Sequence, residues 1–229
     1  MIFFHHIPKT AGTTINDTIF KNNPDKTLIV GQEGVSALEG KNINDYDFVG
    51  GHLPFPDVKD MIQVEVSHVS ILRNPLLRII SYFEMAYRDN EVFREEICSV
   101  DKWGVGFDVF YDRFIVKAGL VNISCSYFSK SKRFYDALVA IRENFSLVGD
   151  VSKLGGFTSS FNEIAKKNGS LLIPDQYPAK NRSSKGDSII EKISPKTLEK
   201  IKDDNQEDFL LYWWLMKKHD GLFLPTNDF

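Results

Sequence analysis

Cysteine is scarce: Cys98 and Cys125 are the only two in 229 residues. Two are too few for a disulfide scaffold or a Cys-based zinc site, so both read as reduced, buried small side chains. Long hydrophobic runs are missing as well. The longest, Phe209–Met216, has eight residues, far short of a membrane span. The N-terminus, MIFFHH, has no basic region leading into a long apolar stretch, so a signal peptide is not expected and a cytoplasmic location is. Neither sign of charge dominates. The 28 Lys+Arg against 31 Asp+Glu give a net charge of −3, which argues against bulk electrostatic binding to nucleic acid or to an anionic membrane. No repeat, low-complexity tract or clear linker interrupts the chain. What remains is ordinary globular composition, 42% hydrophobic and 26% charged, at a length that suits a single domain over residues 1–229.

Residues 2–7 (IFFHHI) read as a short buried strand running into the turn Pro8-Lys9-Thr10-Ala11-Gly12-Thr13-Thr14, and residues 13–22 as the helix that follows. Thr27–Val30 and Asp47–Gly50 read as further short strands. Residues 64–72 (VEVSHVSIL) alternate and then become fully apolar, as an interior strand of a parallel sheet does. Asn74-Pro75 supplies a capping residue and then a proline at the first helical position of a helix over 75–88. Residues 91–145 read as mainly helical and aromatic-rich, 145–149 (FSLVG) as a buried strand, 157–168 as a helix and 175–188 as a polar loop. Ser194-Pro195 opens a last long helix. Strands alternating with helices indicate an α/β fold with a largely parallel sheet, whose ligands sit beyond the carboxyl ends of the strands.

The strand–PKTAGTT–helix segment carries the first chemistry. A turn at the carboxyl end of a strand that opens a helix aims successive backbone N–H groups into one concavity, where an anion is held. Gly12 lets the backbone approach that anion closely. Thr13 and Thr14 offer hydroxyls and can cap the helix, and Lys9 supplies a mobile point charge. The Walker pattern GxxxxGK[ST] places its lysine after the last glycine, whereas Lys9 precedes Gly12.

The second motif lies at the end of the strand HVSILR. A Walker-B strand ends in Asp because magnesium is held there. This one ends in Arg73, with Ser81 two turns into the next helix and Arg78 and Tyr82 nearby. A guanidinium fork and a hydroxyl suit an oxyanion rather than a metal. Two anion-binding ends without obvious metal ligands fit a nucleotide carrying phosphates at both ends.

FHHIPKTAGTT and SILRNPLLRIISYF, with their spacing, resemble the sulfotransferases that use 3′-phosphoadenosine 5′-phosphosulfate (PAPS), in particular the carbohydrate-type family that includes heparan sulfate 2-O-sulfotransferase. The resemblance extends over most of the chain through Val121-Asn122-Ile123-Ser124, Ala137–Gly149 and the Asn181 loop before the final helix. At Val148-Gly149-Asp150 the chain departs from it, since such proteins often carry a glutamate after that glycine. The resemblance implies a P-loop NTPase-like three-layer fold with a central, mainly parallel sheet flanked by helices. It implies PAPS as donor, 3′-phosphoadenosine 5′-phosphate (PAP) as product, no metal, and a hydroxyl acceptor on a saccharide or other molecule. Lys9, Thr10, Ala11, Gly12, Thr13 and Thr14 map to the motif that binds the 5′-phosphosulfate, and Arg73 and Ser81 to the one that binds the 3′-phosphate. Arg182, Ser183 and Lys185, in the basic loop KNRSSK, map to a lid over the nucleotide.

Transfer to a hydroxyl needs a general base tuned near neutral pH. His52, after Val49-Gly50-Gly51 at a strand end, is the first choice. Two glycines keep the backbone open there, and the resemblance places a catalytic Gly-His in this region. His5 and His6, beside the anion turn, and Glu33 are the alternatives; strand alternation points one of the two neighbouring histidines into the sheet. His68 and His219 read as structural. Lys9 would stabilise the bridging oxygen as its bond to sulfur breaks. The net charge averages opposing regions, since residues 176–202 carry seven Lys/Arg against three Asp/Glu while Asp203–Asp208 carries four acidic residues. With Lys9, Arg73 and Arg78, that basic stretch could form one pocket for a phosphorylated nucleotide. A P-loop-type kinase with a degenerate loop and a non-catalytic nucleotide-binding protein are the competing readings.

Overall fold

A computed structural model describes residues 1–89, 103–168, 171, 177 and 189–225. Among the described residues, six strands form one sheet: β1 (Ile2–His5), β2 (Thr27–Val30), β3 (Phe48–Gly51), β4 (Ser67–Leu72), β5 (Phe145–Asp150) and β6 (Leu222–Phe223). Their order is β2-β3-β1-β4-β5-β6, parallel throughout except for the antiparallel β6 at the edge. The central, mainly parallel sheet read from the sequence is therefore present. The five parallel strands fall within a few residues of their expected bounds. The two-residue β6 is an addition, too short to leave a periodic signal.

Alternation along β1 sorts the core into two layers around the sheet. Ile2 and Phe4 face one side, where they meet Ile15 and Ile19 of α1 (Gly12–Asn22) and Phe157 and Phe161 of the helix Leu154–Asn168. Phe3 faces the other side, among Leu28, Val49, Leu53 and Val58. Farther along that second side, Val148 and Phe145 of β5 pack on Phe55 of α2 (Phe55–Val58) and on helices Phe134–Asn144 and Gln206–His219. A separate aromatic cluster joins Ile79, Ile80 and Phe83 of α3 (Pro75–Asp89) to α4 (Trp103–Phe110) and to Ile201 of the helix Pro195–Asp204. After α4 come α5 (Ile123–Ser126), α6 (Phe134–Asn144), α7 (Leu154–Asn168) and the C-terminal helices α8 (Pro195–Asp204) and α9 (Gln206–His219). The helical spacing of Phe107, Phe110, Tyr111 and Phe114 suggests core positions; the first three belong to this core, whereas Phe114 is 36% exposed.

The expected single last helix is two, broken at Asn205. Its buried side-chain amide donates to Tyr111 Oη (2.9 Å) and to the Ile201 carbonyl (3.0 Å), and its oxygen accepts from the Asn122 N–H (3.2 Å). Asp208, one turn on, accepts from the N–H groups of Ser124 (3.0 Å) and Cys125 (2.8 Å), and so caps α5. The break thus satisfies buried polar groups on three elements at once.

His5 and His68 are buried beneath the sheet and bonded to each other. The Leu53 carbonyl can only accept, so His5 Nδ1 carries the proton (2.7 Å), and His5 Nε2 accepts from His68 Nδ1 (2.9 Å). Burial pulls His5 down to about 3, helped by the neighbouring His68, and pulls His68 down to about 4. Below 6.5 the unfolded chain therefore binds protons that the fold refuses. This share of stability is complete above pH 6.5 and is lost as the pH falls from there through the folded values. Urea midpoints should drop between about pH 7.5 and about pH 5. Equal midpoints would contradict neutral burial of the pair.

Candidate active site

In this strand order the connection from β1 runs toward β2 and that from β4 runs toward β5. The crevice between the carboxyl ends of β1 and β4 is therefore the topological switch point. The anion turn and Arg73 both emerge there. They line a cavity of about 790 Å³ together with Pro8, Gln32, His52, Tyr127, Ser152 and neighbouring residues. That size falls within the range of roughly 300–1,000 Å³ usual for small-molecule sites.

The turn is held in an unusual conformation. Lys9 and Ala11 have φ of 70° and 66°, in the left-handed region that non-glycine residues rarely adopt. Ala11 stands at the N-cap of α1 and gives no side-chain cap; the Thr14 N–H bonds to the Ala11 carbonyl at 3.1 Å, and the first helical turn begins at the cavity wall without a capping side chain. Thr13 and Thr14 do not take the capping place foreseen for them. Both instead line the cavity, as do Lys9 and Ala11. Thr10 is turned the other way: its side chain is fully buried and its hydroxyl donates to the Ile7 carbonyl at 2.8 Å. Gly12 is buried too, and its lack of a side chain serves packing. A Cβ there would lie 2.0 Å from Cδ2 of the His6 ring.

Arg73 joins the two motifs. Its Nη1 donates to the Lys9 carbonyl at 3.2 Å, holding the strained turn, while its buried Nε has no protein partner. Ser81 lines the same cavity from α3, next to Tyr82 and Met85. Asn74 caps that helix as foreseen, accepting from the N–H groups of Leu76 (3.0 Å) and Leu77 (3.3 Å). Arg78 does not contribute to the cavity. It is 2% exposed and faces Asp208, with 3.9 Å between Nη2 and Oδ2. The expected place of Arg78 in the anion pocket is thus corrected. Arg78 is directed to the core, and the described basic residues of α8 lie away from the cavity. Lys180, Arg182, Ser183 and Lys185 of the basic stretch lie outside the described residues.

Among the histidines, His52 has the geometry of a base. Its Nδ1 donates to the His6 carbonyl at 2.8 Å, which leaves Nε2 as the unprotonated nitrogen. The ring lines the cavity, and Tyr127 Oη lies 3.4 Å from Nδ1. Burial lowers His52 below its usual 6.5, against a smaller opposing effect of the His6 carbonyl, so the ring is neutral at neutral pH. His5 is excluded as a base because both its nitrogens are used in the core. Burial, with the nearby His52 and Lys9 charges, pulls His6 down to about 3, too weak a proton acceptor at neutral pH. Glu33 is exposed and outside the cavity lining. The glycines before His52 do not open the site. A Cβ on Gly50 would meet Asn16 Oδ1 at 2.2 Å, and one on Gly51 the Val30 carbonyl oxygen at 2.2 Å.

No protein-family model matches the chain, and no curated protein matches it. Among solved structures, the chain is similar to mouse sulfotransferase SULT7A1 complexed with PAP. Identity is 16%, the match covers 96% of this chain and 85% of that one, and the TM-score is 0.38.

The remaining wall comes from the connection after β5, where Val151, Ser152, Leu154 and Gly155 line the cavity. Asp150, 1% exposed, accepts from the Ser152 N–H (2.9 Å) and from the Ser152 hydroxyl, fixing that connection. Sequence reasoning missed Gln32, Tyr127 and Ser152, which carry no motif and are brought in by β2, α5 and β5. Among the described residues, the lining contains two cations, Lys9 and Arg73, and no carboxylate. Among the described residues, no group of three or more His, Cys, Asp or Glu could hold a metal ion. The donor set is that of an anion site.

Proposed function

We propose that the protein is a PAPS-dependent sulfotransferase acting on a hydroxyl, with a saccharide or glycoconjugate as the expected acceptor. One arrangement carries the reading: two anion-binding ends, the uncapped start of α1 with Lys9 and the Arg73–Ser81 pair, share a single cavity with the unprotonated Nε2 of His52. The orphaned Arg73 Nε and the start of α1, which no side chain caps, fit a ligand with phosphate oxygens at both ends.

In this reading Lys9, Ala11, Thr13, Thr14 and the backbone around Gly12 hold the phosphosulfate end, with Thr10 contributing its backbone alone. Arg73 and Ser81 hold the 3′-phosphate, and Arg182, Ser183 and Lys185 remain candidates for a cover. When bound, PAPS supplies a sulfuryl group activated by its link to phosphate. His52 Nε2 takes the proton of the acceptor hydroxyl as the acceptor oxygen bonds to sulfur. Lys9 stabilises the negative charge left on the phosphate oxygen when its bond to sulfur breaks. The products are a sulfate ester and PAP, and the proton rests on His52 until water removes it. Arg73 stands where a metal-holding carboxylate ends the strand of a kinase, so charge neutralisation comes from side-chain and backbone donors.

A mass-spectrometric screen of glycans and small alcohols, incubated with PAPS and the protein, tests the activity. The expected result is an acceptor gaining one sulfuryl group, dependent on His52. Release of PAP without any sulfated product across the panel would contradict the proposed acceptor class.

A further inference from the structure

His6 touches both the start of α1 and the His52 base. Its ring stacks on His52, with centroids 4.5 Å apart at 28°, and on Phe4 behind it, 6.0 Å apart at 9°. The same ring occupies the space in which a side chain on Gly12, the first residue of α1, would sit. Its carbonyl accepts the His52 Nδ1 proton at 2.8 Å. His6 is 7% exposed, so little freedom remains to the ring.

We propose that His6 is a positioning residue: its ring braces the start of α1 against His52, while its carbonyl sets which His52 nitrogen is free to accept a proton. This rests on the sulfotransferase reading for its effect on turnover, but not for its effect on His52. A ring stacked between Phe4 and His52 has one orientation, so displacement of either the anion turn or the base moves the other. Gly12 belongs to the device because the ring fills the volume of its missing Cβ. The titratable and charged groups around His52 are His6, Tyr127 at 3.4 Å and, lining the same cavity, Lys9 and Arg73.

The test is a double-mutant cycle with a titration read independently of turnover. His6→Ala and Gly12→Ala should each lower kcat by about 100-fold, the scale of a misplacement of about 1 Å. In the double variant the added methyl enters space vacated by the ring, so its loss should be no greater than that of the worse single variant. His6→Phe keeps an aromatic ring and should recover most of the His6→Ala loss. In parallel, imidazole NMR should show wild-type His52 protonated on Nδ1 and titrating below 6.5. His6→Ala, which admits water, should move that titration up toward 6.5. Independent, multiplying losses in the cycle would overturn the proposal. So would a folded His6→Ala variant in which the His52 titration and the acidic limb of kcat stay in place. Should His6→Ala fail to fold, His6→Phe decides: a folded protein with full loss of kcat refutes the stacking brace. The NMR arm needs no substrate, so it judges the brace even where wild-type protein transfers no sulfate. That last result by itself sinks the sulfotransferase reading.

Discussion

Replacing His52 by alanine is expected to lower kcat by about 10²–10⁴-fold, the range spanned by a positioned general base. Affinity for adenosine 3′,5′-bisphosphate should stay near the wild-type value. The separation follows from the geometry. His52 approaches the cavity from the end of β3, whereas the anion-binding groups come from the β1–α1 turn, the end of β4 and α3. Its Nδ1 is committed to the His6 carbonyl, so the accepting nitrogen is Nε2. The pH profile carries the same prediction with a definite sign. The base works unprotonated, and burial lowers its value from 6.5. Turnover should therefore hold through neutral pH and fall only on the acidic side of 6.5. His52→Ala should abolish that acidic limb along with the rate. A variant that kept full turnover with the limb intact would remove His52 from the chemistry. His6, Glu33 and His5 do not offer a replacement, being respectively too weak a base, outside the cavity and locked in the core.

Lys9→Ala is the second large effect, an expected loss of about 10²–10³-fold in kcat, comparable with removal of one charge-stabilising donor. Lys9 is half-buried, and burial together with the Arg88 and Arg73 charges lowers its pKa. An ammonium in such surroundings interacts strongly with a developing negative charge, because less water screens it. Backbone strain is controlled within the experiment. At φ 70°, Ala carries a left-handed cost similar to that of Lys, whereas Gly relieves it. Lys9→Ala and Lys9→Gly should thus lose turnover alike while Lys9→Gly gains stability in urea melts. Recovery of turnover in Lys9→Gly would shift the role of this position from charge to conformation.

Much of this was legible because the informative residues are local. The PKTAGTT turn, the Asn74-Pro75 helix start and the apolar run into Leu72 each rest on chemistry within a few positions of one another. The parallel sheet followed from strands alternating with helices. What remained hidden depends on residues far apart in the chain. Gln32 follows the end of β2, which reaches the cavity only through its pairing with β3, and Tyr127 follows α5 and is tied to α2 by its carbonyl, which accepts from the Phe55 N–H at 2.8 Å. Arg78, two turns from Asn74 at most, reads like a third anion donor until α9 places Asp208 opposite it. Gly12 is a similar case, since the turn alone suggests room for an anion and the ring of His6 supplies the actual reason. The Asn205 break was invisible because the apolar periodicity continues across it, while its cause lies at Tyr111 and Asn122.

The most direct measurement is a thermal-shift titration with adenosine 3′,5′-bisphosphate in the presence of a chelator, set against ATP with magnesium. A ligand at about 100 times its Kd stabilises by about 2.7 kcal/mol, ample for detection. The account predicts a clear metal-free upward shift with the bisphosphate, diminished in Arg73→Ala. No shift with the bisphosphate, alongside a clear one with ATP–magnesium, would contradict it.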